Sequence, residues 1–194
     1  MSLWGATDSD ESKPKNLTTA EKLEVSASSK GWVREAGSRL SGNGNTSATP
    51  EVLVAIGGLA VKLGAADITE ITFVTTAFDK SAGGNIDVLV RFNEAVDVTG
   101  TPRVSITNGN QGSGSGRGPH LANYLSGTGT NELTFRCTIA AANAATNADD
   151  VLVIGTNATA LNGGTIKDAG TTTVSTITNA AGIGTAAGSI TVVA

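Results

Sequence analysis

The sequence predicts an all-β chain, with an antiparallel β-sandwich over residues 67–194 preceded by an extended arm and a β-hairpin within residues 1–66. Three observations carry this. Within residues 85–93 the apolar side chains Ile86, Val88, Val90 and Phe92 alternate with Asp87, Leu89 and Arg91, the period-2 pattern of a strand with one buried face. The pattern returns over residues 132–140, where Leu133, Phe135, Cys137 and Ile139 oppose Thr134, Arg136 and Thr138. Composition agrees: aromatic residues make up 4%, charged residues 15%, and glycine alone fills 25 positions. A core for such a chain comes from Val, Ile and Leu on strands joined by small polar turn residues.

Taken in order, residues 1–17 are polar apart from Leu3, Trp4 and Leu17, and Pro14 discourages regular structure, which predicts an arm. Thr18-Thr19-Ala20-Glu21 fits a capping box and predicts a helical turn or two, ended by the serines of residues 26–29. Residues 31–36 and 51–56 read as strands, with the Gly/Ser/Asn/Thr-rich residues 37–50 as the loop of a long hairpin. Two strands do not hold themselves together in water. Trp32, Val33, Leu53 and Ile56 are therefore expected against the C-terminal unit or against another chain. Residues 57–66 mark the boundary. Beyond it strands are expected at 68–75, 85–93, 103–107, 121–125, 132–140, 151–154, 173–177 and 189–193, with a turn at 97–102, the spacing of an antiparallel sandwich.

The formal net charge is −4 and neither half is basic, so the electrostatic footprint of a nucleic-acid partner is missing. Cys137 is the single cysteine. It forms no intramolecular disulfide, fits synthesis in a reducing cytosol, and is expected in the core of its strand. The start MSLWGATDSDESKPK carries acids and no apolar stretch, so no secretory signal is expected. The longest apolar run, residues 52–61, is broken by Gly57 and Gly58 and too short to cross a bilayer.

Candidate chemistry is sparse, and neither cofactor nor metal is expected. Residues 112–118, GSGSGRG, lack the Lys-Ser/Thr of a phosphate-binding loop and read as a flexible connection. His120 is the only histidine, which leaves no histidine cluster for zinc and no catalytic triad with a second base. Calcium needs six to eight convergent oxygens. Of Asp79, Asp97, Asp149, Asp150 and Asp168 only Asp149-Asp150 are adjacent, and they read as a solvated turn. Tyr124 is expected in the core. Trp4, a bulky ring in a polar arm, is best used as an anchor in a partner's pocket. Leu3, Trp4, Leu17 and Trp32 are the partner-binding candidates, and no catalytic residue is assigned.

Three ordered segments, VRFNEAVDVTGTPRVSI (90–106), ANYLSGTGTNELTFRCTI (122–139) and LNGGTIKD (161–168), resemble the bacterial immunoglobulin-like repeats of long cell-surface adhesins and of phage virion proteins. The resemblance implies an Ig-like sandwich of seven to eight strands and no chemistry of its own. Residues 1–60, through Trp4-Gly5, Lys13-Pro14 and Gly31-Trp32, resemble the opening of small virion structural proteins of tailed phages, especially marine ones. Together the resemblances imply a non-enzymatic virion protein made in the host cytoplasm. In it, an N-terminal part would bind the major capsid protein or other virion proteins and an Ig-like domain would be displayed, with no preference between monomer and trimer. The alternatives are a neck- or tail-associated protein and an adhesin-type module for host-surface glycans, the latter opposed by the scarcity of aromatic rings.

Overall fold

The structure, a computed structural model, describes residues 14, 16–18, 21–34, 36, 45, 47–61, 63–109 and 118–194. The chain is all-β, as its alternation predicts, and its described residues bury two separate apolar clusters.

The first cluster belongs to a small antiparallel sheet of β1 (Val25–Ser28), β2 (Gly31–Arg34) and β3 (Glu51–Ala55), in that order. The capping box forms: Glu21 N donates to Thr18 Oγ1 at 3.2 Å and Thr18 N donates to Glu21 Oε2 at 2.8 Å. It starts only a 3-10 turn, Glu21–Glu24. Val25–Ser28, expected to break a helix, is instead a strand, because pairing Ala27 with Trp32 and Ser26 with Val33 buries Val25 and Ala27. Ser28 Oγ donates to Gly31 O and accepts from Lys30 N, closing a tight hairpin. Gly31 has φ +127, and a Cβ there would lie 2.0 Å from Val54 O, so only glycine fits. Trp32, Ile56 and Leu59 complete the cluster, with Leu17, Leu53, Val54 and Leu63 packed on it. Trp32, Leu53 and Ile56 thus gain a core of their own, closed by β1 and the 3-10 turn Leu59–Val61.

The second cluster is enclosed by nine strands: β4 (Ile68–Phe73), β5 (Phe78–Asp79), β6 (Gly84–Thr99), β7 (Arg103–Gly109), β8 (His120–Ser126), β9 (Thr130–Ile139), β10 (Val151–Ala160), β11 (Thr165–Asp168) and β12 (Ser189–Val193). Their order is β11-β6-β9-β8-β7-β10-β12-β5, and β4 pairs with Val88–Phe92 of β6 on the edge that β11 takes further along. All pairs are antiparallel except β12 with β5. β8 joins the halves, pairing with β7 through His120–Asn123 and with β9 from Asn123 onward. The inward residues of both halves, among them Phe92, Phe135, Ile106, Leu152 and Ile190, form one buried cluster, so the halves face each other across it.

Several expectations are corrected. The strand over 85–93 runs on to Thr99 because β11 pairs with Val96–Thr99, and the turn narrows to residues 100–102, where Gly100 has φ +70. β10 extends past Ile154 to Ala160 across a bulge. The buried amide of Asn179 braces that bulge: its Oδ1 accepts from Ala158 N at 2.9 Å and its Nδ2 donates to Gly155 O at 3.0 Å. The strand expected at 173–177 contributes only single bridges, Val174 with Lys167 and Thr176 with Asp67, since it crosses between two neighbours. β5, β11 and a short helix, α1 (Ala181–Ala186), were not anticipated.

Phe92 is fully buried and Leu125 is 48% exposed. Phe92→Ala is expected to cost about 3 to 5 kcal/mol, whereas Leu125→Ala should stay within about 0.5 kcal/mol. Denaturant unfolding midpoints of the two variants test this, and equal losses would misplace the core.

Candidate functional site

The predicted partner-binding residues separate. Leu3 and Trp4 lie outside the described residues. Leu17 is half-buried against the N-terminal cluster, and Trp32 is 2% exposed inside it. The Trp32 ring therefore packs within its own chain and offers no aromatic face to a partner.

Because adjacent strand residues point to opposite faces, Val33 turns away from the Trp32 cluster. Ser26, Val33 and Val52 align in register across β1, β2 and β3. They floor a cavity of about 420 Å³ that is also lined by Ala95 of β6, by Gly129 of the turn before β9 and by Thr130 and Asn131 at the start of β9. Lys30 also lines it. Ser28 Oγ and Thr130 Oγ1 bond to backbone carbonyls of Gly31 and Gly127. This junction between the sheets is a surface of hydroxyls and small apolar groups with Lys30 at its lining.

His120 heads a second cluster. Its Nε2 shares a 3.1 Å hydrogen bond with Thr146 Oγ1, and Thr146 is fully buried. Nearby, Asp150 Oδ2 accepts from Asn108 Nδ2 at 3.0 Å and from Asn147 N at 2.8 Å, and Asn108 Nδ2 also donates to Ala145 O. These bonds tie β7 and the start of β8 to the segment before β10. Burial lowers the histidine below its ordinary value, against a smaller opposing pull from Asp150. Asp150, expected in a solvated turn, is 1% exposed, while Asp149 is exposed.

A third cluster was not anticipated. Glu94 and Asp168 are each 1% exposed on the inner face near the junction. Burial, then Asp168 and Asp67, pushes Glu94 from 4.5 up to about 8. Glu94 continues the inward row Ile86, Val88, Val90, Phe92, so the signal was present in the sequence. It was missed because the strand was ended at residue 93.

Elsewhere, Asp79 accepts from Ser81 N and Oγ, both at 2.7 Å, and these bonds hold its carboxyl below the usual range. Tyr124 is half-buried, edge-on to Phe135 with ring centroids 6.0 Å apart. Cys137 is buried, and burial raises its thiol. Residues 112–117 of the Gly/Ser loop lie outside the described residues. Among the described residues no group of three or more His, Cys, Asp or Glu is placed to hold a metal ion.

Two outcomes follow from the burial of these groups. The unfolded chain takes up a proton on His120 near pH 6.5, while the folded chain resists it. That contribution to stability is present above the unfolded value and is lost as pH falls below it. Melting temperatures should drop on acidification through this window, and His120→Gln should reduce the drop; an unchanged slope would remove His120 as its cause. Cys137 should react with a thiol reagent only after denaturant is added, and rapid labelling of the native chain would contradict its burial. Comparison with protein-family models, curated proteins and solved structures finds no match to this chain.

Proposed function

We propose that the chain is a non-enzymatic structural protein of a phage particle, a head decoration protein whose N-terminal part binds the capsid lattice and whose sandwich is displayed as an Ig-like domain. The observation that carries the reading is the division into two units. A small sheet with its own cluster, Val25, Ala27, Trp32, Ile56 and Leu59, precedes a nine-stranded sheet with a separate core.

The strand order supports the Ig-like part. The neighbours β4-β6-β9-β8 and β7-β10-β12 follow the ABED and CFG sheets of an immunoglobulin-type sandwich. The three resembling segments fall on β6 and β7, on β8 and β9, and on the turn into β11. The N-terminal resemblance supports the virion setting. Among the described residues β3 is paired on one edge only, and its Val52 is 43% exposed. An edge left unpaired among the described residues suits attachment by main-chain pairing to a partner. Attachment in many copies would strengthen a lattice by mass action.

Quantitative mass spectrometry of purified particles tests the reading: the chain should be present in step with the major capsid protein. Absence would remove the virion role, and a few copies per particle would move the protein to the neck or tail. A variant lacking residues 1–17 should keep its β-type circular dichroism but lose co-sedimentation with heads. Retained binding would place attachment elsewhere.

A further inference from the structure

The two cores meet above the buried carboxyl pair. β11 pairs with β6 so that Asp168 stands opposite Val96. Glu94, two residues back on the same inward face, comes within hydrogen-bonding reach of the Asp168 carboxyl. Asp168 Oδ1 accepts from the N–H groups of Gly170 and Thr171, which folds residues 168–171 into a tight turn. Asp168 Oδ2 and both oxygens of Glu94 are buried with no donor among the described residues. An ionised carboxylate only accepts hydrogen bonds. Two ionised groups here would face each other with neither able to bond, whereas a single proton makes one of them a donor. The titratable groups that face Glu94 are Asp168 from β11 and Asp67 from the segment ahead of β4, and both oppose its ionisation.

The turn that Asp168 holds is also where the N-terminal unit sits. A Cβ on Gly170 would lie 2.9 Å from Ala60 O, 3.0 Å from Val61 Cγ1 and 3.2 Å from Asp168 Oδ1. The turn therefore packs directly on the 3-10 turn Leu59–Val61, whose Leu59 is fully buried in the N-terminal cluster. Ala169 N donates to Ala95 O, the residue after Glu94, and Asp67 N donates to Asn93 Oδ1, the residue before it. Glu94 thus sits between two backbone ties that fasten β6 to the junction.

We propose that Glu94 and Asp168 form a proton-dependent latch: sharing one proton they hold the 168–171 turn against residues 59–61, and losing it releases the N-terminal sheet while both cores stay folded. The direction follows from linkage. An acid raised above its ordinary 4.5 in the closed form binds its proton more tightly there than in the open form. Closure is therefore favoured most at or below that ordinary value, and the advantage is lost as pH rises through about 8.

Hydrogen exchange of the full chain, corrected for intrinsic rates, reads the latch. Between about pH 5.5 and about pH 7.5 the opening constant of amides in residues 57–67 and 168–176 should rise roughly tenfold per pH unit. Amides of β7 and β10 should keep their protection. Glu94→Gln supplies a permanent donor to Asp168 and should make junction protection independent of pH. Should that variant not fold, Asp168→Asn retains an acceptor for Gly170 and Thr171, removes the opposing charge and offers Glu94 an amide donor, and should end the rise at lower pH than in the wild type, while the wild-type profile decides by itself. Junction protection that ignores pH in the wild type, a loss spreading equally to β7 and β10, or a folded Glu94→Gln with the wild-type slope would each overturn the proposal.

Discussion

Strand β6 is the member on which the other elements depend. Its 16 residues pair with β9 over most of their length, with β4 along the first part and with β11 along the last. Its inward row, Ile86, Val88, Val90, Phe92 and Val96, is fully buried. Its outward row carries ion pairs: Arg136 holds Asp87 at 2.7 Å, and Arg91 bridges Glu70 and Glu132. Such partly exposed pairs are weakened by solvent screening and contribute little, against about 1.5 to 3 kcal/mol for each buried apolar side chain. The inward row therefore sets where β6 lies, and the charged row adjusts register. Glu94 is the polar exception in that inward row, and it sits where β6 passes from one neighbour to the next.

The N-terminal sheet shows how a unit too small for a sandwich still closes a core. A three-stranded sheet has two faces, and here they do different work. Trp32, Ala27 and Val25 meet Ile56 and Leu59 on one side, while Val33 and Val52 look toward β6 and the turn before β9. The tight hairpin at residues 29–30 makes this possible, because it brings β1 onto β2 in the register that covers the indole. Without β1, Trp32 would lie open and the hairpin of β2 and β3 would need an external partner.

Buried polar side chains brace the irregular places of the fold. Asn179 fills the bulge of β10, Asp150 ties the segment before β10 to β7, and Asp168 shapes the turn after β11. Each bonds to backbone groups that strand pairing leaves unmatched, and burial without such partners would be costly. Among the described residues β3 is paired along one edge only, and its Val52 is 43% exposed.

Local pattern alone identified the all-β class, most of the strands and the inward rows of β6 and β9. Alternation is a property of adjacent residues and survives without knowledge of neighbours. Cys137 was legible as a core candidate for the same reason, whereas Trp32, read as a partner-binding candidate, is buried within the N-terminal cluster. Pairing was not legible: β1 exists because Trp32 needs cover, β5 because β12 passes beside it, and β11 because the end of β6 offers unpaired backbone. The Glu94–Asp168 pair and the His120–Thr146 and Asn108–Asp150 bonds join residues 26 to 74 positions apart. No local pattern encodes such contacts; they arise only when β6, β8 and their partners fold over one core.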